Sequence, residues 1–330
     1  MKIIDTTSGF AELARVRKNC VLTVGNFDGV HLGHQEILAA ARQTAAKRKA
    51  ELIVMTFEPH PLAVLYPQKP PGILTVLPLK KHLLAEFGVD YLFVVKSTLE
   101  LLNLSPRKFV QQFVAEKIQP SVVVEGRSFN FGCDRAGNVD VLQKLAIEMG
   151  FEVSIIKAKE VKLTTGQTVT VSSTVIRDLL ASGRAADAAI ALGRPYRLIG
   201  QVVPGRGKGK QLGFPTANLQ PTQQLVPEEG VYAGFVGIAD SEAEACAAKE
   251  RLPAAFSIIR PETFGSEHAL SIEAHLLIED VGPLYDKWLA MDFVRRIRGQ
   301  QKFEADADLS AQIAKDCEKA KNILATDFTD

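Results

Sequence analysis

The first half of the chain alternates between two patterns. Short runs that are apolar at nearly every position (Val21 to Val24, Leu52 to Phe57, Tyr91 to Val95 and Ser121 to Val124) predict strands buried on both faces. Between them the spacing is helical. It predicts helices from near His31, with Ile37 and Leu38 on the inner face, over Leu79 to Phe87 and over Pro106 to Lys117. Strand and helix in alternation predict an α/β, Rossmann-like domain with a parallel sheet and right-handed crossovers. Ligands of such sheets sit at the carboxyl ends of the strands, so the exits Gly25 to His34, Glu58 to Pro61 and Glu125 to Gly132 converge on one crevice. The Pro-rich loop from Glu58 to about Pro71 is long for a connector and reads equally well as surface or as a cover over a site.

After a helix over Arg184 to Leu192 the pattern changes. Short β-patterned runs at 196–203, 231–238, 253–259, 270–278 and 288–297 are divided by turn residues, and helical spacing returns only at 308–324. These runs predict a small antiparallel β-barrel with a terminal helix. The expected division is therefore a domain over 1–183 and another over 184–330, a size that suits 330 residues.

Composition narrows the function. Hydrophobic content of 46% and a net charge of +1 describe an ordinary globular protein without a basic surface for nucleic acid or membrane. The stretch MKIIDTTSGF does not read as a signal peptide, and no apolar run approaches the ~18 residues of a membrane helix. Cys20, Cys133, Cys246 and Cys317 are scattered, which argues against a disulfide framework or a zinc site. A cytoplasmic setting is expected, with the oligomeric state open between monomer and weak homo-oligomer.

The chemistry begins where the first strong strand stops. After Gly25 comes a turn with Asn26, Phe27, Asp28 and Gly29, and then a helix start carrying His31, Gly33 and His34. Free N–H groups and the positive end of a helix dipole favour an anion there. Two histidines three apart can share a face, with Gly33 leaving room for close approach. Alone, the pair also reads as a helix cap or as part of a metal site. Downstream, Ser172, Ser173 and Thr174 precede an apolar helical run with Arg177 one turn in. This is a capping pattern that can equally clamp a phosphate. Together, GNFDGVHLGH and SSTVIR, about 140 residues apart, resemble the HxGH and SSTxIR signatures of the nucleotidyltransferase superfamily in the form found in bacterial FAD synthetases.

That resemblance implies an ATP site containing Gly25, Asn26, Phe27, Asp28, Gly33, Ser128, Ser172, Ser173 and Thr174, with His31, His34 and Arg177 stabilising charge. It also implies flavin contacts from Phe57, Pro59, His60 and Asn130. The stretch Gly126 to Gly132 has Ser128 where the family usually carries an acidic or amide residue.

In the second half, Gly205, Arg206, Gly207, Lys208, Gly209 and Lys210 form a basic loop that suits either a solvated turn or a cover over phosphates. Pro215 then fixes the backbone, and Thr216 and Asn218 offer neutral oxygens on one side of an extended segment, as a hard Mg²⁺ bound with ATP phosphates requires. The string GFPTAN resembles the signature of riboflavin kinases. The resemblance implies ATP contacts at Gly205, Gly207, Lys210, Gly213 and Pro215, Mg²⁺ at Thr216 and Asn218, and Glu273 as general base. Arg298 and Phe303 would touch the flavin. Gly299 and two glutamines replace the family's acidic residues before Lys302, and Phe256 to Phe264 departs from the family's NxGxRPTF pattern.

The whole chain thus resembles a bifunctional riboflavin kinase and FMN adenylyltransferase, with riboflavin, FMN and ATP as substrates and FMN and FAD as products. Two further readings carry the same motifs: a riboflavin kinase with a weak or redirected N-terminal domain, and a non-catalytic flavin or nucleotide binding module.

Overall fold

A computed structural model describes residues 1–5, 18–205, 207–220, 223–259, 270–278 and 282–326, with the side chains of Asp5 and Lys208 outside the description. Packing divides the chain into two compact units, Met1–Glu160 and Val161–Asp330.

The first unit is a six-stranded parallel sheet. In chain order it contains β1 (Lys2–Asp5), β2 (Val21–Val24), α1 (Leu32–Arg48), β3 (Leu52–Glu58), α2 (Pro61–Leu65), α3 (Leu77–Glu86), β4 (Tyr91–Lys96) and α4 (Leu99–Leu102). There follow α5 (Pro106–Phe109), continued by wider helical turns over Val110–Ile118, then β5 (Val122–Gly126), the small pair β6 (Asn130–Phe131) and β7 (Gly137–Asn138), α6 (Val139–Met149) and β8 (Glu152–Ile156). The sheet order is β1-β4-β3-β2-β5-β8, with every adjacent pair parallel. The central strands are buried on both faces, which is why their sequences are continuous apolar runs. Leu22, Ile53, Met55, Phe93 and Val123 meet Phe109, Phe113 and Leu142 in one core.

Sequence spacing locates the central strands and misses the edges. β1 and β8 are short or half-polar, so neither shows a continuous run. The segment expected as an uninterrupted loop after Glu58 contains α2, which Pro61 starts and the His60 side chain caps by accepting Leu62 N–H. α6 also went unassigned, although Asn138 caps it and Gly150 ends it at φ +80°.

The second unit includes a hairpin of β9 (Glu160–Lys162) and β10 (Thr168–Thr170), helices α7 (Ser173–Ala181) and α8 (Ala185–Leu192), and then a barrel. The barrel elements are β11 (Tyr196–Val203), α9 (Lys208–Gln211), β12 (Ala217–Leu219), β13 (Gly230–Ala239), α10 (Glu242–Ala247), β14 (Leu252–Ile259), β15 (Ser271–Leu276) and β16 (Trp288–Arg298), followed by α11 (Asp306–Thr326). The strands close in the order β11-β12-β15-β14-β13-β16, all antiparallel. Closure leaves no free edge. It is braced where β11 faces β16, because Arg197 Nε and Nη2 each reach a carboxylate oxygen of Asp292 at 2.8 Å. Inside, Phe293 touches Tyr196, Tyr232 and Phe256.

α7 packs against α8, and Leu180 O accepts Glu228 N–H from the segment leading into β13. Gly183, at φ +73°, follows α7 and lies so close to Arg296 that a Cβ would stand 2.7 Å from its Cδ. Among the described residues no helix is long and apolar enough to cross a membrane.

Phe293→Ala should lower the stability of the barrel by about 3–5 kcal/mol, the usual cost of emptying a filled aromatic site. Trp288 is the single tryptophan and lies in the same strand, so its fluorescence during denaturant unfolding reports that shift.

Candidate functional site

Gly25 continues β2 by one hydrogen bond, N–H to Met55 O at 3.0 Å, and the chain then turns sharply. Phe27 (φ +46°), Gly29 (φ +88°) and Val30 (φ +40°) all occupy left-handed backbone. For Phe27 and Val30 this conformation is unfavourable and must be held by packing. Both are buried, the Phe27 ring beneath Gly25, where a Cβ would come within 3.2 Å of it.

The Asp28 carboxylate holds the turn from the other side. It is 2% exposed and accepts Leu74 N–H (2.9 Å), Thr75 N–H (3.0 Å) and the Thr75 hydroxyl (3.2 Å). Gly29 N–H donates back to the Thr75 hydroxyl oxygen at 3.0 Å. Asp28 therefore ties the segment before α3 to the turn.

His31 caps α1: its Nδ1 accepts His34 N–H at 3.2 Å. The two rings stack with centroids 3.7 Å apart and planes 13° from parallel, and Phe27 lies 5.1 Å from His34. The Nδ1 atom of His34 is buried without a hydrogen-bond partner. Burial first, then the His31 and Lys80 charges, holds His34 well below the ordinary histidine range. The pair thus forms a hydrogen-bonding platform at the helix N-terminus, with the His34 ring neutral and one of its nitrogens left for a ligand.

At the exit of β3 the Glu58–Pro59 bond is cis, Pro59 is exposed and its carbonyl accepts the Ser97 hydroxyl at 2.6 Å. His60 Nε2 lies 3.5 Å from the Asn26 amide, so two of the expected residues meet here. Phe57 is half-buried against Phe109. At the exit of β5, Ser128 and Asn130 are both exposed, and the Asn130 amide donates to Ser128 O at 2.7 Å. The adjoining Phe129 and Phe131 stack on each other. Just before this turn, Glu125 is 2% exposed and accepts Val24 N–H at 2.6 Å. Burial raises its carboxyl well above the usual range, against the pull of that N–H.

Ser172, Ser173, Thr174 and Arg177 belong to the second unit by their packing. Ser172 caps α7 by accepting Val175 N–H at 3.3 Å, Thr174 is exposed, and Arg177 lies half-buried within the helix.

In the barrel, β12 and β15 pair so that Asn218 stands opposite Glu273. The Thr216 hydroxyl donates to Glu273 Oε2 at 3.3 Å and the Ser271 hydroxyl to Oε1 at 3.0 Å, leaving the carboxylate partly exposed. His275, two residues on and on the same face, holds Pro215 O through Nδ1 at 2.8 Å and meets Phe214 edge-on. The Asn218 amide lies directly on Gly205, where any Cβ would overlap it. The basic stretch expected as a loop contains the short helix α9, with Gly207 (φ +72°) and Gly213 (φ +84°) at its ends and Lys210 exposed. Arg206 and the segment 260–264 lie outside the described residues.

Arg298 has a use other than the flavin contact expected of it. Its Nε and Nη2 grip Asp316 Oδ2 at 2.9 and 2.7 Å, tying β16 to α11, while Phe303 stays half-buried beyond the strand. Asp316, Thr75, Glu125 and Lys80 were missed from sequence. The signal for Glu125 and Lys80 was a charge set inside an apolar pattern: Val122-Val-Val-Glu125 in one case, Leu79, Lys80, Leu83, Leu84 in the other. Burial pushes the Cys20 and Cys246 thiols up to about 12, so neither is a nucleophile at neutral pH.

Comparison with known proteins matches residues 13–175 to the FAD synthetase family and residues 192–324 to the riboflavin kinase family. The bifunctional riboflavin kinase/FMN adenylyltransferase of Escherichia coli (strain K12) is 36% identical over 308 residues, 91% of each chain. That of Pseudomonas fluorescens is 34% identical over 96% of this chain and 97% of its own. Among solved structures, a macrolide-efflux protein from Streptococcus pneumoniae superposes with a TM-score of 0.82 at 25% identity, covering 98% of this chain and 99% of that one.

Glu125 gives a test of these electrostatics. Between about 4.5, the ordinary carboxyl value, and its raised folded value, the folded protein keeps a proton that the unfolded chain has released, so stability falls as pH rises through that window. Glu125→Gln keeps the acceptor for Val24 and removes the titration. The variant should unfold at a higher denaturant midpoint than the parent at pH 7, with the difference vanishing below about pH 4.5.

Proposed function

Because the chain belongs to the family of bifunctional riboflavin kinases/FMN adenylyltransferases, we infer that it makes FMN from riboflavin and then FAD from FMN, using ATP for both. It is a kinase and a nucleotidyltransferase in one polypeptide. The observation that carries the assignment to sites is that each unit keeps a reactive group its fold does not use up: His34 Nδ1 in the first, and the partly exposed carboxylate of Glu273 in the second. We assign adenylyl transfer to residues 1–183 and phosphorylation to 184–330.

In the kinase half, Glu273 takes the proton of the riboflavin 5′-hydroxyl as that oxygen bonds to the γ-phosphorus of ATP, and the bond to the β,γ-bridging oxygen breaks with its electron pair leaving on ADP. Thr216 and Ser271 orient the carboxylate, and His275 fixes the Pro215 carbonyl beside Thr216. The Thr216 hydroxyl and the Asn218 amide oxygen suit Mg²⁺, a hard ion accustomed to neutral oxygens and substrate phosphates, and Gly205 leaves the space Asn218 needs. When bound, Mg²⁺ would supply charge neutralisation on the phosphates.

In the adenylyltransferase half, an FMN phosphate oxygen bonds to the α-phosphorus of ATP, and the bond to the β-phosphate oxygen breaks, its electron pair leaving with pyrophosphate. The nucleophile is already anionic, so the protein's work is orientation and charge stabilisation. His31, His34 and Gly33 line one side of the strand exit, and the family resemblance assigns Ser172, Ser173, Thr174 and Arg177 as a second phosphate-binding motif. Phe57, Pro59 and His60 supply an apolar and hydrogen-bonding edge suited to the flavin. We place the protein in the cytoplasm, on the support of four free thiols.

His34→Ala should cut FAD formation by about 100-fold or more while FMN still accumulates from riboflavin, as expected for loss of one preorganised donor. Glu273→Gln should cut FMN formation by about 100-fold or more yet leave conversion of supplied FMN to FAD intact. Chromatography of flavins after incubation with ATP and Mg²⁺ reads both.

A further inference from the structure

Helix α3 presents Leu79, Lys80, Leu83 and Leu84 to the interior, so a lysine occupies a position where the helical spacing asks for an apolar side chain. Lys80 is 4% exposed. Among the described residues its ammonium makes no hydrogen bond and no ion pair. The carboxylates of Asp28 and Glu58 attract it from beyond contact distance. Asp28 is taken up by Leu74 and Thr75, and Glu58 ends β3 just before the cis bond.

A cation this dry and without a contacting anion is costly, and burial pushes its amine below the ordinary lysine value. Its surroundings define where the missing anion would stand. α3 is bound to the Gly25 to His34 turn through Asp28 and Thr75, which carries Lys80 to the carboxyl ends of β2 and β3, close enough for its charge to act on His34. The His34 ring is neutral there. The exit of β2 therefore has N–H donors, a helix dipole and an unpartnered ring nitrogen, and α3 brings a buried positive charge to it.

We propose that Lys80 is a phosphate-binding residue of the adenylyltransferase site, its ammonium taking a phosphate oxygen of the reacting nucleotides. The proposal rests on the assignment of adenylyl transfer to this half. Arrival of the phosphate supplies the contacting anion that Asp28 and Glu58 do not, and the longer-range pull of those carboxylates keeps the ammonium charged until then.

The test runs adenylyl transfer in both directions on the full chain. Reverse reaction of FAD with inorganic pyrophosphate is specific to this site, since the kinase does not use it. Lys80→Met should raise the KM for pyrophosphate, and for ATP in the forward direction, by about 100-fold, the scale for losing one charged contact to a phosphoryl group. Riboflavin phosphorylation should be unchanged, and Lys80→Arg should recover most of the loss. A rise in the KM for FMN and FAD with pyrophosphate unaffected would still support the proposal and assign the ammonium to the flavin phosphate. If the lysine serves only the fold, Lys80→Met melts at lower temperature and keeps every KM, which overturns the proposal. Should that variant not fold, Lys80→Gln takes its place, and failure of both to fold would overturn the proposal by marking the ammonium as the counter-charge of Asp28 and Glu58. A parent chain that makes FMN but neither makes nor cleaves FAD would remove the adenylyltransferase assignment itself, before any variant is compared.

Discussion

The carboxylate of Asp28 is the constraint on which the first unit's site depends. It sits in a turn with two non-glycine residues in left-handed backbone, a conformation that costs on the order of 1–3 kcal/mol each and relaxes unless something holds it. Asp28 holds it by accepting hydrogen bonds from Leu74 and Thr75, nearly fifty residues along the chain. One buried acid thereby fixes both the start of α1, with its paired histidines, and the start of α3. The shape of the strand exit and the charge beside it are set by the same group.

The two halves solve phosphate chemistry with different materials. The parallel sheet offers backbone geometry, a strand end, a tight turn and a helix N-terminus, with a buried lysine charge brought beside it by α3. Among the described residues the barrel has no such strand-exit helix at β12 and β15. It relies instead on side chains of paired strands, where the register that sets Asn218 opposite Glu273 also brings Thr216 within reach of the carboxylate. Errors are tolerated differently as a result. A slip of one residue in the barrel would turn Glu273 and His275 to the other face together.

How much of this was legible in sequence follows from the distance over which each feature is determined. Central strands, the HxGH turn, the capping serines and the GFPTAN segment are local, and each appears where its pattern stands. Edge strands β1 and β8 lack a continuous apolar run because solvent reaches them. The family resemblance makes Asp28 a nucleotide contact, but its partners lie in a segment no local pattern connects to it. Arg298 was similarly assigned by motif, while its grip on Asp316 depends on how α11 folds back on β16. Long-range pairing decides the use of a charged side chain, and spacing cannot show it.

The helix that starts at Ser172 has a consequence for how the chain can be divided. Its motif belongs with the nucleotidyltransferase signature, and the FAD synthetase match runs to residue 175, yet its packing is with α8 and the barrel, through Leu180 O on Glu228 and the close approach of Gly183 to Arg296. A piece ending where the first compact unit ends would lack that motif altogether. A piece extended just far enough to include it would carry a helix whose apolar face, Ile176, Leu179 and Leu180, had lost its cover. The helix that carries the SSTVIR motif thus depends for its own fold on the second compact unit.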